Sequence, residues 1–221
     1  MTIQENIREI LSTLPEGVRL VAVSKYHPVE ALKEAYDGGQ RIFGESKVQE
    51  MTAKHEQLPA DIQWHFIGHL QTNKVKYIAP YVALIHGVDS YKLLCEINRQ
   101  GQRVGRIIPC LLQLHVAQEE TKFGFSPDEC LAMLSEGEWR TLPYVSIRGI
   151  MGMASNTDDI EQVRREFATL GKFFSQVKEL YFSDKELFCE LSMGMSDDYP
   201  IAIEEGSTLV RVGSRIFGER I

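Results

Sequence analysis

What this chain of 221 residues lacks narrows its class before any motif is considered. Its four cysteines, Cys95, Cys110, Cys130 and Cys189, are far apart and form no C-x-x-C pair, so neither a disulfide framework nor a zinc knuckle is indicated. The opening Met1-Thr2-Ile3-Gln4-Glu5 has no basic segment leading into an apolar run, which argues against secretion and for a reducing, cytoplasmic setting. No apolar run approaches the ~18–20 residues that cross a bilayer, so no membrane embedding is expected. Cationic excess is missing too: 24 Lys+Arg against 31 Asp+Glu leave a formal charge of -7, which argues against a nucleic-acid partner while still permitting a local pocket for one small phosphate. There is no Pro/Ser-rich linker and no internal repeat. The 43% hydrophobic and 25% charged fractions are those of an ordinary globular chain, so one domain over residues 1–221 is expected.

The apolar residues alternate between two kinds of run. Thr2 and Glu5 form a capping box ahead of Ile3, Ile7, Ile10, Leu11 and Leu14, spaced as on one helical face. Leu20-Val21-Ala22-Val23-Ser24 then reads as a strand buried on both faces. Similar strand-sized runs follow at 41–43, 63–67, 82–86, 107–114, 145–150, 187–191 and 208–212, eight in all. Between them lie helix candidates at 28–36, 46–58, 73–79, 90–100, 127–134, 158–180 and 197–205, with Ser90 and the Ser126/Glu129 pair marking two starts. Strands alternating with helices demand a parallel sheet, and eight units in this length predict a closed (β/α)₈ barrel. An open doubly wound sheet is the alternative, but Ser24-Lys25-Tyr26-His27-Pro28 stands where its G-x-G-x-x-G turn belongs. Residues 116–124, rich in Glu and Lys, read as the most mobile loop.

In such barrels the chemistry sits at the carboxyl ends of the strands, with phosphate commonly held after strands seven and eight. Lys25 ends strand one, where a low dielectric favours a neutral, nucleophilic amine able to form a Schiff base with an aldehyde; the plainer alternative is a lysine that snorkels to solvent. After strand seven, Ser192 and Ser196 flank a glycine ahead of a helix, an arrangement that binds an anion unless Ser196 merely caps that helix. After strand eight, Gly213 permits close backbone approach, Ser214 adds a donor, and Arg211, sharing a face with Gly213, points into the barrel mouth rather than to the surface. A strand-end amine opposite a phosphate cradle describes a phosphorylated aldehyde bound across the barrel top.

His65 and His69 are four apart, but that spacing aligns metal ligands only on a helix, and no third ligand is nearby, so no metal is expected. Met151, Met153, Met193 and Met195 either line the pocket or fill the core.

Five ordered stretches carry a resemblance: Val21-Ala22-Val23-Ser24-Lys25, Phe43-Gly44-Glu45-Ser46-Lys47-Val48-Gln49-Glu50, Trp64-His65-Phe66-Ile67-Gly68-His69-Leu70-Gln71-Thr72-Asn73-Lys74, and residues 191–198 and 210–218. They resemble the pyridoxal phosphate homeostasis family, stand-alone relatives of the N-terminal barrel of alanine racemases. The resemblance implies pyridoxal 5′-phosphate held as an aldimine on Lys25, its phosphate on Ser196, Gly213 and Ser214, and Arg211 facing the pyridine nitrogen. An arginine keeps its proton, so the ring is a weaker electron sink. One position departs from the pattern: Ser46-Lys47 follows Glu45 where members commonly carry Asn-Tyr, and the resemblance implies a ring-hydroxyl contact from Ser46, reached through water.

Eight units fill the chain, leaving no room for the second domain that supplies a racemase with its opposite base. The expectation is therefore a monomeric cofactor custodian with no assigned catalytic residue, storing, buffering or delivering the cofactor, with amino acids and apo-enzymes as candidate partners. The competing readings are a weak racemase or other amino-acid enzyme using Lys25 alone or with Tyr26 or His65, and a lysine-dependent aldolase.

Overall fold

The computed structural model describes residues 2–117, 123–182 and 186–218. Helix α1 (Ile3–Thr13) opens on the expected capping box: the Thr2 hydroxyl accepts the Glu5 N–H at 3.2 Å, and the Glu5 carboxylate accepts the Thr2 N–H at 2.8 Å. Strand and helix then alternate through β1 (Arg19–Val23), α2 (Val29–Asp37), β2 (Ile42–Glu45), α3 (Val48–His55) and β3 (Gln63–Phe66). They continue through α4 (Val75–Ile78), β4 (Leu84–Val88), α5 (Tyr91–Val104), β5 (Ile108–His115), α6 (Pro127–Glu136), β6 (Val145–Met153) and α7 (Ile160–Tyr181). The last elements are β7 (Glu190–Ser192), α8 (Tyr199–Glu204), β8 (Leu209–Val212) and α9 (Ser214–Phe217).

Every strand pairs in parallel with its successor, and β8 returns to β1 with Val21 opposite Arg211, so the sheet closes into the barrel that the sequence predicted. The strands read as continuous apolar runs because both of their faces are covered. Outward, Leu20, Ala22, Phe43, Trp64, Phe66 and Ile85 pack against the helices in one large core. Inward, Val21, Leu84, Leu111, Met151 and Leu209 form a small separate plug. Trp64 is only 1% exposed, and truncating such a side chain to alanine costs about 3–5 kcal/mol.

Several boundaries differ from expectation for identifiable reasons. The run at 187–191 is a strand only from Glu190, because Phe188 instead stacks on Phe174 and Phe182 beneath α7, while Leu187 is exposed. Strand four begins two residues late, since the Val82 N–H is used to close the end of α4 on Ile78 O at 2.8 Å. Strand six runs on to Met153, following the eight-residue β5 past a register shift. The helix expected over 73–79 is split into a 3₁₀ turn, Thr72–Lys74, and α4, and the 3₁₀ turn Glu138–Thr141 and α9 were not foreseen. Of the loop at 116–124 read as mobile, residues 118–122 lie outside the described residues. No helix among the described residues is long and apolar enough to cross a membrane.

Candidate functional site

Lys25 follows β1 at the carboxyl end of the barrel and lines a cavity of about 280 Å³ together with Arg211, Ser196, Gly213, Ser214 and Met195. Five residues singled out in the sequence, Lys25, Ser196, Arg211, Gly213 and Ser214, therefore meet in one place. Strand closure explains this: β1 and β8 are neighbours, so the turn after the first strand and the turn after the last share a wall.

Ser196 does not cap α8. That helix starts at Tyr199, with Asp198 at its N-cap position and no side-chain cap bond. The Asp198 carboxylate instead accepts the Met195 N–H at 2.5 Å, which folds the β7–α8 turn back so that Ser196 Oγ accepts the Gly213 N–H at 3.3 Å. A Cβ at position 213 would stand 3.1 Å from Val23 O and 3.2 Å from Val23 Cβ, so glycine is what lets the β8 turn lie this close to β1.

Arg211 is 4% exposed and points inward, as its alternation with Val210 and Val212 predicts. It donates from Nη1 to Ser192 Oγ at 2.5 Å and from Nη2 to the Gly152 carbonyl at 3.1 Å. Burial pulls its pKa down to about 10, partly opposed by the charge of Asp198, and it stays cationic at neutral pH.

Ser192 lies below the cavity rather than on its wall. Its hydroxyl also meets His86 Nδ1 at 2.9 Å, and His86 Nε2 meets His65 Nδ1 at 3.0 Å. An arginine only donates, so Ser192 Oγ accepts from Arg211, and its contact with His86 joins the two imidazoles to the same buried network. Both imidazoles are neutral in it: burial first, helped by the charge of Arg19, brings His65 down to about 3, and burial likewise holds His86 well below its usual value.

Three further residues named from the sequence also lie off the cavity wall. Ser46 does not line the cavity; its backbone packs against Gly68 in the next loop. His65, offered as a second base, lies inside the barrel and borders a small recess with Arg19, Arg148 and Glu190 near the amino ends of the strands, not the mouth. Tyr26, the other candidate, is 45% exposed with the Lys47 ammonium 4.7 Å from its ring centroid. Of the four methionines, Met153 and Met195 line the cavity, while Met151 and Met193 are buried core. His69 lies apart from His65, pairing with Asp89 at 3.0 Å and stacking on Phe123.

The sequence reading missed a buried ion cluster under Lys25. Lys54, 5% exposed, donates from Nζ to Glu45 and to Glu50, each at 2.7 Å, and to Ser24 O at 2.8 Å. Only the i, i+4 spacing of Glu50 and Lys54 hinted at it.

A closed parallel barrel with a lysine after its first strand and a hydroxyl-glycine turn after its last defines a class, the alanine racemase-type barrels. The model of the family described as alanine racemase, N-terminal domain, matches residues 1–221. The pyridoxal phosphate homeostasis protein of Pasteurella multocida is 36% identical over 100% of this chain and 98% of its own length. Its namesake from Aquifex aeolicus is 39% identical over 91% of this chain and 87% of its own. The PipY structure from Synechococcus elongatus determined with PLP bound superposes with a TM-score of 0.89 at 37% identity, covering 98% of this chain and 100% of that one. A Clostridium difficile alanine racemase shares the fold alone, with a TM-score of 0.81 at 15% identity, and this chain spans 56% of it. The protein belongs to the alanine racemase N-terminal domain family, among the pyridoxal phosphate homeostasis proteins.

Proposed function

We propose that this protein binds pyridoxal 5′-phosphate through Lys25 and serves its homeostasis by storing, buffering or delivering it, residues 1–221 acting as one cofactor-binding domain. The observation that carries the reading is the meeting of Lys25, Arg211 and the Ser196–Gly213 pair around one cavity of about 280 Å³. The residues present fit the group: hydroxyl and backbone donors of Ser196, Gly213 and Ser214 suit a phosphate, and a primary amine suits an aldehyde. When bound, the cofactor supplies that aldehyde and a ring able to accept electron density.

In this reading Ser196, Gly213 and Ser214 would hold the phosphate, Lys25 would take the aldehyde, and Arg211 would face the ring. Ser192 acts indirectly, by orienting Arg211. Arg211, anchored by Ser192 and Gly152, keeps its proton and would not pass one to the ring, which suits custody better than carbanion chemistry. The custodian acts as a monomer, and its acceptors are amines: the active-site lysines of apo-enzymes that need the cofactor, and free amino acids.

Saturation with pyridoxal 5′-phosphate, borohydride reduction and peptide mass mapping test this. A pyridoxyl mass on the peptide containing Lys25, absent in Lys25→Ala, is expected, with no α-proton exchange on added amino acids. An unmodified Lys25 peptide would overturn the reading, and exchange that depends on Lys25 would favour a racemase.

A further inference from the structure

The two residues that flank Lys25 are held by one buried ion cluster reaching up from β2 and α3. Besides binding Lys54, Glu45 Oε1 accepts the Ser24 hydroxyl at 2.6 Å, and Glu50 Oε1 accepts the Tyr26 backbone N–H at 2.5 Å. Lys54 itself holds the Ser24 carbonyl. Both neighbours of the reactive lysine are thus tied to the same ammonium, directly or through a carboxylate. Glu45 and Glu50 belong to the second stretch that carried the family resemblance, and the function proposed above gives them no role.

Tyr26 adds an independent observation. Its φ is +70°, and among the described residues it is the only non-glycine with a positive value. Left-handed backbone is unfavourable for a tyrosine, and such conformations persist where the surroundings over-determine them. The surroundings here include the bond from Tyr26 N to Glu50 and the bond from His27 N to Ser24 O at 3.1 Å. The cluster is also arranged at a solvation cost, since Glu45 is fully buried and its Oε2 has no hydrogen-bond partner. Buried ion pairs are weak stabilisers compared with apolar packing, so a conformational task explains this one better than stability does.

We propose that Glu50 and Lys54 are positioning residues for Lys25: they hold Tyr26 in its left-handed turn and so aim the Lys25 amine into the cavity. The inference rests on the reading that Lys25 takes the aldehyde. In that step the neutral amine nitrogen bonds to the aldehyde carbon, the C=O is replaced by C=N, and the oxygen departs as water carrying the two amine protons, with no change of oxidation state. The cluster touches none of these atoms; it fixes where the nitrogen starts.

The test compares full-length wild type, Glu50→Ala, Lys54→Met and the double variant Glu50→Ala/Tyr26→Gly. Glu50 is the mild lesion, because Lys54 keeps Glu45 as its partner. Two quantities are read: the rate at which borohydride-trappable pyridoxal 5′-phosphate appears on Lys25, and affinity for pyridoxine 5′-phosphate, which shares ring and phosphate but has no aldehyde. Glu50→Ala is expected to slow trapping about 5- to 30-fold, the factor set by the cost of an unsupported left-handed residue, while pyridoxine 5′-phosphate affinity stays within about twofold. Tyr26→Gly, which removes that cost, is expected to bring the Glu50→Ala rate back to within about threefold of wild type. Lys54→Met, if it folds, should slow trapping at least as much. Unchanged trapping in Glu50→Ala, parallel loss of trapping and pyridoxine 5′-phosphate binding, or failure of Tyr26→Gly to restore the rate would each overturn the positioning role while leaving Lys25 as the acceptor. Absence of any adduct on wild-type Lys25 would overturn both.

Discussion

His86 Nε2 and His65 Nδ1 lie 3.0 Å apart inside the barrel, with both rings shut off from solvent. Burial disfavours the charged form of each, so each takes up a proton more readily in the unfolded chain. Their folded pKa values are depressed below the unfolded value near 6.5, with His65 at about 3.

The sign of the pH dependence follows. Between the folded and unfolded values the unfolded chain binds more protons, so the stability from neutral burial is fully present above about pH 6.5 and is lost as pH falls from there towards 3. Each histidine contributes a slope of up to roughly 1.4 kcal/mol per pH unit in that window. Urea midpoints measured from pH 7.5 to 4.5 are expected to fall steeply in the wild type and less steeply in His65→Leu/His86→Leu. Equal slopes would show that these rings do not set the acid response.

The bond between Ser196 and Gly213 gives a prediction about ligands. Ser196→Ala removes a hydroxyl from the proposed phosphate cradle, and the loss of one such bond to a charged group corresponds to about tenfold in affinity. Isothermal titration with pyridoxine 5′-phosphate should show this loss, while binding of unphosphorylated pyridoxine changes little. Equal losses for both ligands would place the phosphate elsewhere.

Gly149 sits in β6 at φ +155°, beside the register shift between β5 and β6. A Cβ there would lie 1.7 Å from Glu190 O, a backbone atom that cannot step aside. Gly149→Ala should therefore destabilise the barrel by at least the roughly 1–3 kcal/mol typical of overpacking, seen as a lower urea midpoint. A midpoint within error of wild type would mean the sheet relaxes here.

The barrel was legible because Leu20-Val21-Ala22-Val23 and its seven counterparts are buried on both faces, so apolar runs mark them without any need for alternation. Their ends were less legible: Phe188 is as apolar as a strand residue yet serves a stack of rings, and no periodicity separates the two uses. Lys25, Ser196, Arg211, Gly213 and Ser214 line one cavity, and position at a strand's carboxyl end is the signal that singled them out in the sequence. Ser46 also follows a strand's carboxyl end, yet it is not on the cavity wall, and its backbone lies against Gly68 of the neighbouring loop. Lys54 and His86 gave almost no signal, because their partners, Ser24, Ser192 and His65, are brought in by tertiary contact between separate strands and helices.

Closure between β1 and β8, reinforced where Asn6 Nδ2 donates to Ile216 O at 2.9 Å, has a bearing on folding as well as on chemistry. In the proposed reading the amine comes from the turn after β1 and the phosphate-holding groups from the turns after β7 and β8, so no partial set of β/α units owns a complete pocket. A ligand that needs both can stabilise only the sealed ring. Occupancy would then act as a latch on the final seam, drawing late-forming chains towards the finished barrel and leaving unfinished ones unrewarded.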